Sequence, residues 1–192
     1  MKFLAVHPSC LMYSKIYLRL EPLGLELVAA AARRAGHAVR LIDLQCEPHQ
    51  NFFRLVKRWQ PDVIAFSVNY LANVPEIIDL ARAARALLSQ AFICVGGHSV
   101  SFIPEEILRH AAGAVDCVLT GEGETAITGL LDALAQGQPN LKNVPGCVTL
   151  DHRSPPARIC AFARRSVTCT RPGSTSPQVF HRPVGSGRIH RV

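Results

Sequence analysis

The chain has few aromatic residues (6%), a single Trp, and no apolar run that reaches membrane-spanning length. A membrane helix needs roughly 20 consecutive apolar residues, so no transmembrane segment is expected. The opening Met1-Lys2-Phe3-Leu4-Ala5-Val6-His7-Pro8 is too short and too soon interrupted for the apolar core of a signal peptide. It reads as a first strand, and a cytoplasmic location is the expectation. Seven cysteines stand at 10, 46, 94, 117, 147, 160 and 169, yet none are spaced CxxC or CxxxC, and there is no CxH. No local zinc or iron–sulfur motif is therefore visible. An odd count without a secretory segment also argues against a disulfide framework. Cys94 and Cys117 fall inside apolar runs, where a free thiol behaves as a small hydrophobe.

The formal charge of +7 is not spread along the chain. Residues 1–150 hold 13 Lys+Arg and 13 Asp+Glu, whereas residues 151–192 hold eight Arg, no Lys and one Asp. The excess that would suggest a nucleic-acid partner thus says nothing about the first 150 residues. The last 42 residues carry five Pro and much Ser, Thr and Gly, with neither a period of 2 nor one of 3.6. Residues 151–192 are expected to be a disordered basic tail. An Arg/Pro/Ser/Gly excess without Lys is also what an out-of-frame reading of a GC-rich gene tends to produce.

Residues 1–150 alternate strand and helix. Expected strands are 2–6, 39–44, 63–68, 91–95 and 115–119, with a sixth short one at 147–150. Expected helices are 21–36, 51–59, 75–88, 104–110 and 124–135. In the first helix Leu23, Leu27, Ala30 and Ala31 supply the apolar face, and Gly36 stops it. Val63 to Val68 is a continuous apolar run, as in a parallel strand covered on both faces. This alternation predicts an α/β doubly wound parallel five-stranded sheet of flavodoxin-like (Rossmann-like) order 2-1-3-4-5. Ligands of such sheets bind at the carboxyl edge, where the strand order reverses.

Two glycine-bearing loops fall on that edge, Gly96-Gly97-His98-Ser99 after the fourth strand and Gly121-Glu122-Gly123-Glu124 after the fifth. With Ser67 and Asn69 after the third strand, they gather hydroxyls, an amide and backbone donors. Gly121-x-Gly123-x-x-Ala126 formally matches the dinucleotide fingerprint. It follows the wrong strand, however, and sets two carboxylates where a pyrophosphate would lie. A phospho-receiver needs clustered acids after strand one and an acceptor Asp after strand three. Here those places hold His7-Pro8-Ser9 and Ser67-Val68-Asn69. What remains is a large, mostly neutral ligand meeting small polar groups.

The run Pro22-Leu23-Gly24-Leu25-Glu26-Leu27-Val28-Ala29-Ala30, then Gly36-His37, Leu41-Ile42-Asp43, Pro61-Asp62-Val63-Ile64-Ala65-Phe66-Ser67, Val95-Gly96-Gly97-His98 and Gly121-Glu122-Gly123-Glu124, carries a family resemblance. It resembles the N-terminal cobalamin (B12)-binding domain of B12-dependent radical SAM methyltransferases, over residues 1–150. Residues 1–44 are most similar to the hopanoid C-3-methylating members. The resemblance implies a cobalamin-binding domain at 1–150, with the corrin on the carboxyl edge and the nucleotide tail entering the sheet side. It implies that Ser67, Asn69, Gly96, Gly97, His98, Ser99, Gly121 and Glu122 line the cofactor cleft. The complete enzymes use methylcobalamin, a [4Fe–4S] cluster and S-adenosylmethionine, here to methylate a hopanoid lipid. The chain lacks the Asp-x-His-x-x-Gly motif of B12 mutases, as is usual in the radical SAM branch. It also lacks the family's Cys-x-x-x-Cys-x-x-Cys cluster motif, so no catalytic or metal-ligating residue is assigned. The chain is expected to be truncated or frame-shifted after about residue 150 and inactive alone. The alternative is a non-catalytic α/β module whose basic tail binds nucleic acid.

Overall fold

A computed structural model describes residues 1–9, 21–137 and 140–158. Six strands form one sheet: β1 (Lys2–His7), β2 (Ala38–Asp43), β3 (Val63–Ser67), β4 (Phe92–Gly96), β5 (Cys117–Leu119) and β6 (Cys147–Val148). Five helices connect them: α1 (Leu23–Arg34), α2 (His49–Trp59), α3 (Val74–Leu87), α4 (Pro104–Ala111) and α5 (Gly123–Ala135). The strand order is 2-1-3-4-5-6. β1 to β5 are parallel, with Phe3 beside Val63, Val63 beside Phe92, and Cys94 beside Cys117. β6 is antiparallel to β5, with Leu119 opposite Cys147. The expected parallel five-stranded order is thus present, and the sixth strand extends it.

Alternation along each strand sends successive side chains to opposite faces and divides the core in two. Leu4, Val6, Ile64, Phe66, Ile93 and Val95 point to one layer, beneath α2, α3 and α4. Phe52 of α2 packs there against Phe66, ring centroids 5.9 Å apart. Phe3, Ala5, Val63, Ala65, Cys94 and Cys117 point to the other layer, beneath α1 and α5. This second face is paved with smaller side chains.

α1 turns a different face to the sheet than its pattern suggested. Leu25, Ala29 and Ala32 are buried, whereas Leu23 and Leu27 are exposed. Leucines at 23, 25 and 27 give this helix apolar groups on several sides, so periodicity alone does not choose among them.

Order does not stop at residue 150. Ser154 and Ala157 are buried. Ala157 forms a parallel bridge with Gly121, and the Ser154 amide donates to the Cys147 carbonyl at 2.9 Å. Pro155 and Pro156 read as breakers, but proline loses only its donor and keeps its carbonyl. The Gly146 amide donates to the Pro155 carbonyl at 2.7 Å. Residues 151–158 therefore belong to the sheet's edge, and residues 159–192 lie outside the described residues.

Candidate functional site

The carboxyl ends of β3, β4 and β5 open into a cavity of about 570 Å³. Its mouth is made by Ser67, Asn69, Gly96, Gly97, His98, Gly121 and Glu122. It continues as a slot between α1 and α5, over Ala65, Cys94 and Leu119 of the sheet. Gly24, Leu27 and Val28 form one wall, and Gly123 and Ile127 the other. The small side chains on this face of the sheet leave room for the slot. Ligand cavities commonly run about 300–1,000 Å³, mostly apolar with a few placed polar groups, and this one has that character.

Seven of the eight residues expected in the cleft line the cavity, and Ser99 does not. The Ser99 hydroxyl instead donates to the Asn69 carbonyl at 2.6 Å, tying the third and fourth loops together. Other hydroxyls near the edge are engaged in the same way. Ser101 donates to the Gly97 carbonyl at 3.1 Å, and Thr120 to the Gly146 carbonyl at 3.1 Å. The Ser67 hydroxyl and the Asn69 amide have no side-chain hydrogen bond among the described residues and remain for a ligand. Residue type alone cannot make this distinction, because a serine that caps a loop and one that faces a ligand look alike in sequence.

The glycines also have a structural reason. Gly97 has φ +117°, and a Cβ there would come within 2.5 Å of the Val68 carbonyl oxygen. At Gly121, with φ +85°, a Cβ would overlap the Ala157 carbonyl. Only glycine allows these loops to lie backbone against backbone. Gly97 thus joins the β4 loop to the β3 loop, and Gly121 joins the β5 loop to residues 154–157. By contrast, Gly24 has open space where its Cβ would stand. The wall of α1 was missed in the sequence. Its signal was a helix with more apolar residues than one face can bury: Leu27 stays exposed, and Val28 packs only partly against the sheet core.

His98 is exposed and lies edge-on to Phe102, ring centroids 5.4 Å apart. His7 ends β1 on the far side of the switch point and is buried. Burial pushes its imidazole below the ordinary histidine value, against the opposing pull of Asp43 and Glu76. Nearby, Glu76 accepts from the Ser9 amide at 3.0 Å and meets His49 Nε2 at 2.7 Å. Cys94, Cys117 and Cys147 lie on one face of adjacent strands. Hydrogen bonding to Cys147 and Cys94, reinforced by burial, holds the Cys117 thiol well above its usual range. Of the three, Cys94 alone reaches the cavity.

A mostly parallel sheet with a largely apolar cavity at its carboxyl edge is the usual arrangement of an α/β ligand-binding domain. The B12 binding domain family model matches residues 10–131. The chain belongs to that family and is a B12-binding domain. It is 56% identical over 156 residues to the hopanoid C-3 methylase of Methylococcus capsulatus, covering 81% of this chain and 30% of that protein. It is 24% identical over 143 residues to the cytidylyl-2-hydroxyethylphosphonate methyltransferase of Streptomyces wedmorensis, covering 64% of this chain and 26% of that one. Its fold superposes on the cobalamin-dependent S-adenosylmethionine radical enzyme OxsB, solved with aqua-cobalamin and S-adenosylmethionine bound. That match has a TM-score of 0.67 and 23% identity, over 81% of this chain and 22% of that one. The chain therefore spans less than a third of the length of these relatives. Among the described residues no helix is long and apolar enough to cross a membrane.

Proposed function

We propose that the carboxyl-edge cavity is the cobalamin site, and that the chain is the cofactor-carrying part of a methyltransferase acting at C-3 of a hopanoid. The observation that carries the site is the slot between α1 and α5. It is a partly open cradle over Ala65 and Cys94, where a Cβ on Gly24 would meet no neighbour within 4 Å. A flat macrocycle too large to be enclosed would rest at the mouth and send a slender tail into that slot. Ser67 and Asn69 would orient its polar rim, and Gly96 would let it approach the backbone. Gly97 and Gly121 hold the two loops in place, and His98 and Glu122 stand at the rim. Leu27, Val28 and Ile127 exclude water from the slot. A bound methylcobalamin supplies a cobalt-bonded methyl group. The substrate assignment rests on the 56% identity to the hopanoid enzyme. The [4Fe–4S] cluster and S-adenosylmethionine belong to the catalytic domain of such enzymes, and a cytoplasmic location goes with this proposal.

Equilibrium dialysis against hydroxocobalamin tests the site. The protein should retain the corrinoid at about tens of micromolar. A Ser67→Ala/Asn69→Ala variant should bind about ten- to thirtyfold more weakly without losing its fold, as expected from about 1 kcal/mol for each of two hydrogen bonds. Retention unchanged in that variant would contradict the assignment. A chimera tests the reaction. Residues 1–158 in place of the matching part of the Methylococcus enzyme should still support 3-methylhopanoid formation, and loss of product with cobalamin still bound would refute the hopanoid reading.

A further inference from the structure

A second cavity, also about 570 Å³, lies at the opposite end of the sheet, against its edge strand β2. It is lined by Arg40, Leu41 and Ile42 of β2 and by Arg54, Arg58 and Trp59 of α2, with Glu47 and Asn51 at one end. Consecutive strand residues alternate between faces, so three in a row lining one cavity place it along the strand's open edge rather than over either face.

That edge has backbone groups to offer. Among the described residues β2 pairs only with β1. The amides of Ala38 and Leu44 donate to the carbonyls of Met1 and His7. In a parallel ladder the N–H and C=O of one residue point the same way, and successive residues alternate. Even-numbered residues from 38 to 44 therefore face β1, and Val39, Leu41 and Asp43 face outward. The Asp43 carbonyl is taken by the amides of Cys46 and Glu47. Val39 and Leu41 have no hydrogen-bond partner on the outer side among the described residues.

The groove is also basic. Arg40, Arg54 and Arg58 form no ion pair among the described residues. Arg54 donates to the neutral side chains of Asn51, at 2.8 Å, and Gln50. Arg40 lies over the Trp59 ring, 5.0 Å from its centroid. Glu47, the only carboxylate in the lining among the described residues, accepts from Asn51 at 3.0 Å. Sheet edges are commonly blunted by a charge, a proline or a covering segment. Here the arginine on the strand is stacked on α2, and the described residues provide no cover.

We propose that this groove docks an extended acidic segment of a partner protein, which adds to β2 as a further strand. Its backbone would pair with Val39 and Leu41. Its carboxylates, on alternate residues, would face Arg54 and Arg58, and its other side chains would face Leu41. Strand addition combines backbone bonds for affinity with side chains for selectivity, and both halves are present. This site is independent of the cobalamin site and stands or falls separately.

Trp59 is the only tryptophan, so its fluorescence reports on the groove. The test titrates the whole chain with a peptide of about eight residues alternating Glu and Val, a usual strand length. Saturable change at about 10–300 μM is expected. An Arg54→Glu/Arg58→Glu variant should bind about tenfold more weakly, since each exposed ion pair contributes modestly. Both positions are exposed, and circular dichroism checks that the fold is kept. The same peptide N-methylated at alternate residues keeps its charge but cannot pair, and it should also weaken about tenfold. The proposal is overturned by no saturable change up to about 1 mM, by equal binding of the N-methylated peptide, or by tighter binding of an oligonucleotide of equal charge.

Discussion

Gly96 and Gly97 are adjacent in sequence, but the structure gives them opposite tolerances. At Gly97 an alanine must adopt φ +117°, and its Cβ would stand 2.5 Å from the Val68 carbonyl oxygen and 2.8 Å from the Val68 nitrogen. Both neighbours are backbone, so no rotamer relieves the overlap. The strained backbone costs about 1–3 kcal/mol. Forcing the β3 and β4 loops apart costs a further 1–3 kcal/mol or so, as for other overpacked sites. The total is about 2–6 kcal/mol, a large part of the roughly 5–15 kcal/mol that holds a domain folded. At about 2–4 °C per kcal/mol for a chain of this size, G97A should melt about 5–20 °C below the parent. At Gly96 a Cβ would meet Leu119 O at 3.6 Å and Leu119 Cβ at 3.8 Å, which is ordinary contact. G96A should melt at or slightly above the parent, because alanine restricts the unfolded chain by about 0.4–1 kcal/mol. Gly96 lines the cavity, however, so G96A should bind cobalamin more weakly. Thermal melts by circular dichroism decide the matter. A G97A protein melting within about 2 °C of the parent, or a G96A protein losing as much as G97A, would refute the reasoning.

Three further outcomes are expected. A chain ending at residue 150 loses the Pro155 acceptor of the Gly146 amide and the Ala157 partner of Thr120. At about 1–3 kcal/mol per buried group left unpaired, it should unfold at markedly lower urea than a chain ending at residue 160, and equal midpoints would contradict the packing of residues 151–158. His7 has a folded pKa below its ordinary 6.5, so its contribution to stability is present above about pH 6.5 and is lost as pH falls through the folded value. Urea midpoints at pH 8 and pH 5 should therefore differ less in His7→Gln than in the parent, and an unchanged difference would show that His7 is not the group responsible. Ser99→Ala should leave cobalamin affinity unchanged, because that hydroxyl holds the Asn69 carbonyl and does not reach the cavity.

Much of the fold was legible because its strands are short apolar runs and its helices carry clear stops. Val63 to Val68 is short, apolar but for Ser67 and bounded by Pro61, as a strand covered on both faces should be, and the strand forms at Val63–Ser67. What escaped reading has physical causes. α1 is apolar on several sides, so its buried face was misassigned to Leu23 and Leu27. The sixth strand was expected at 147–150 and forms at Cys147–Val148, but its antiparallel pairing with β5 leaves no mark in so short a run. Residues 151–158 were read as tail because proline breaks most patterns, yet at a sheet edge only its carbonyl is needed. In the site, residue type located the right edge of the sheet, but not which polar groups are already engaged. Ser99 and Ser67 differ only in their partners. Gly97 and Gly121 line the cavity as expected, and each is also required where two backbone segments meet, which residue type alone does not reveal.

The central claim is that the α1–α5 slot receives the cofactor. Gly24→Leu fills that slot from α1, where a Cβ meets no neighbour, so the fold should be kept or gain up to about 1 kcal/mol from replacing a helical glycine. Spectral titration of both proteins with hydroxocobalamin is the most direct test. The account predicts one-to-one saturation for the parent at about tens of micromolar and at least tenfold weaker binding for the variant. No binding by the folded parent, or equal binding by the two, would contradict it.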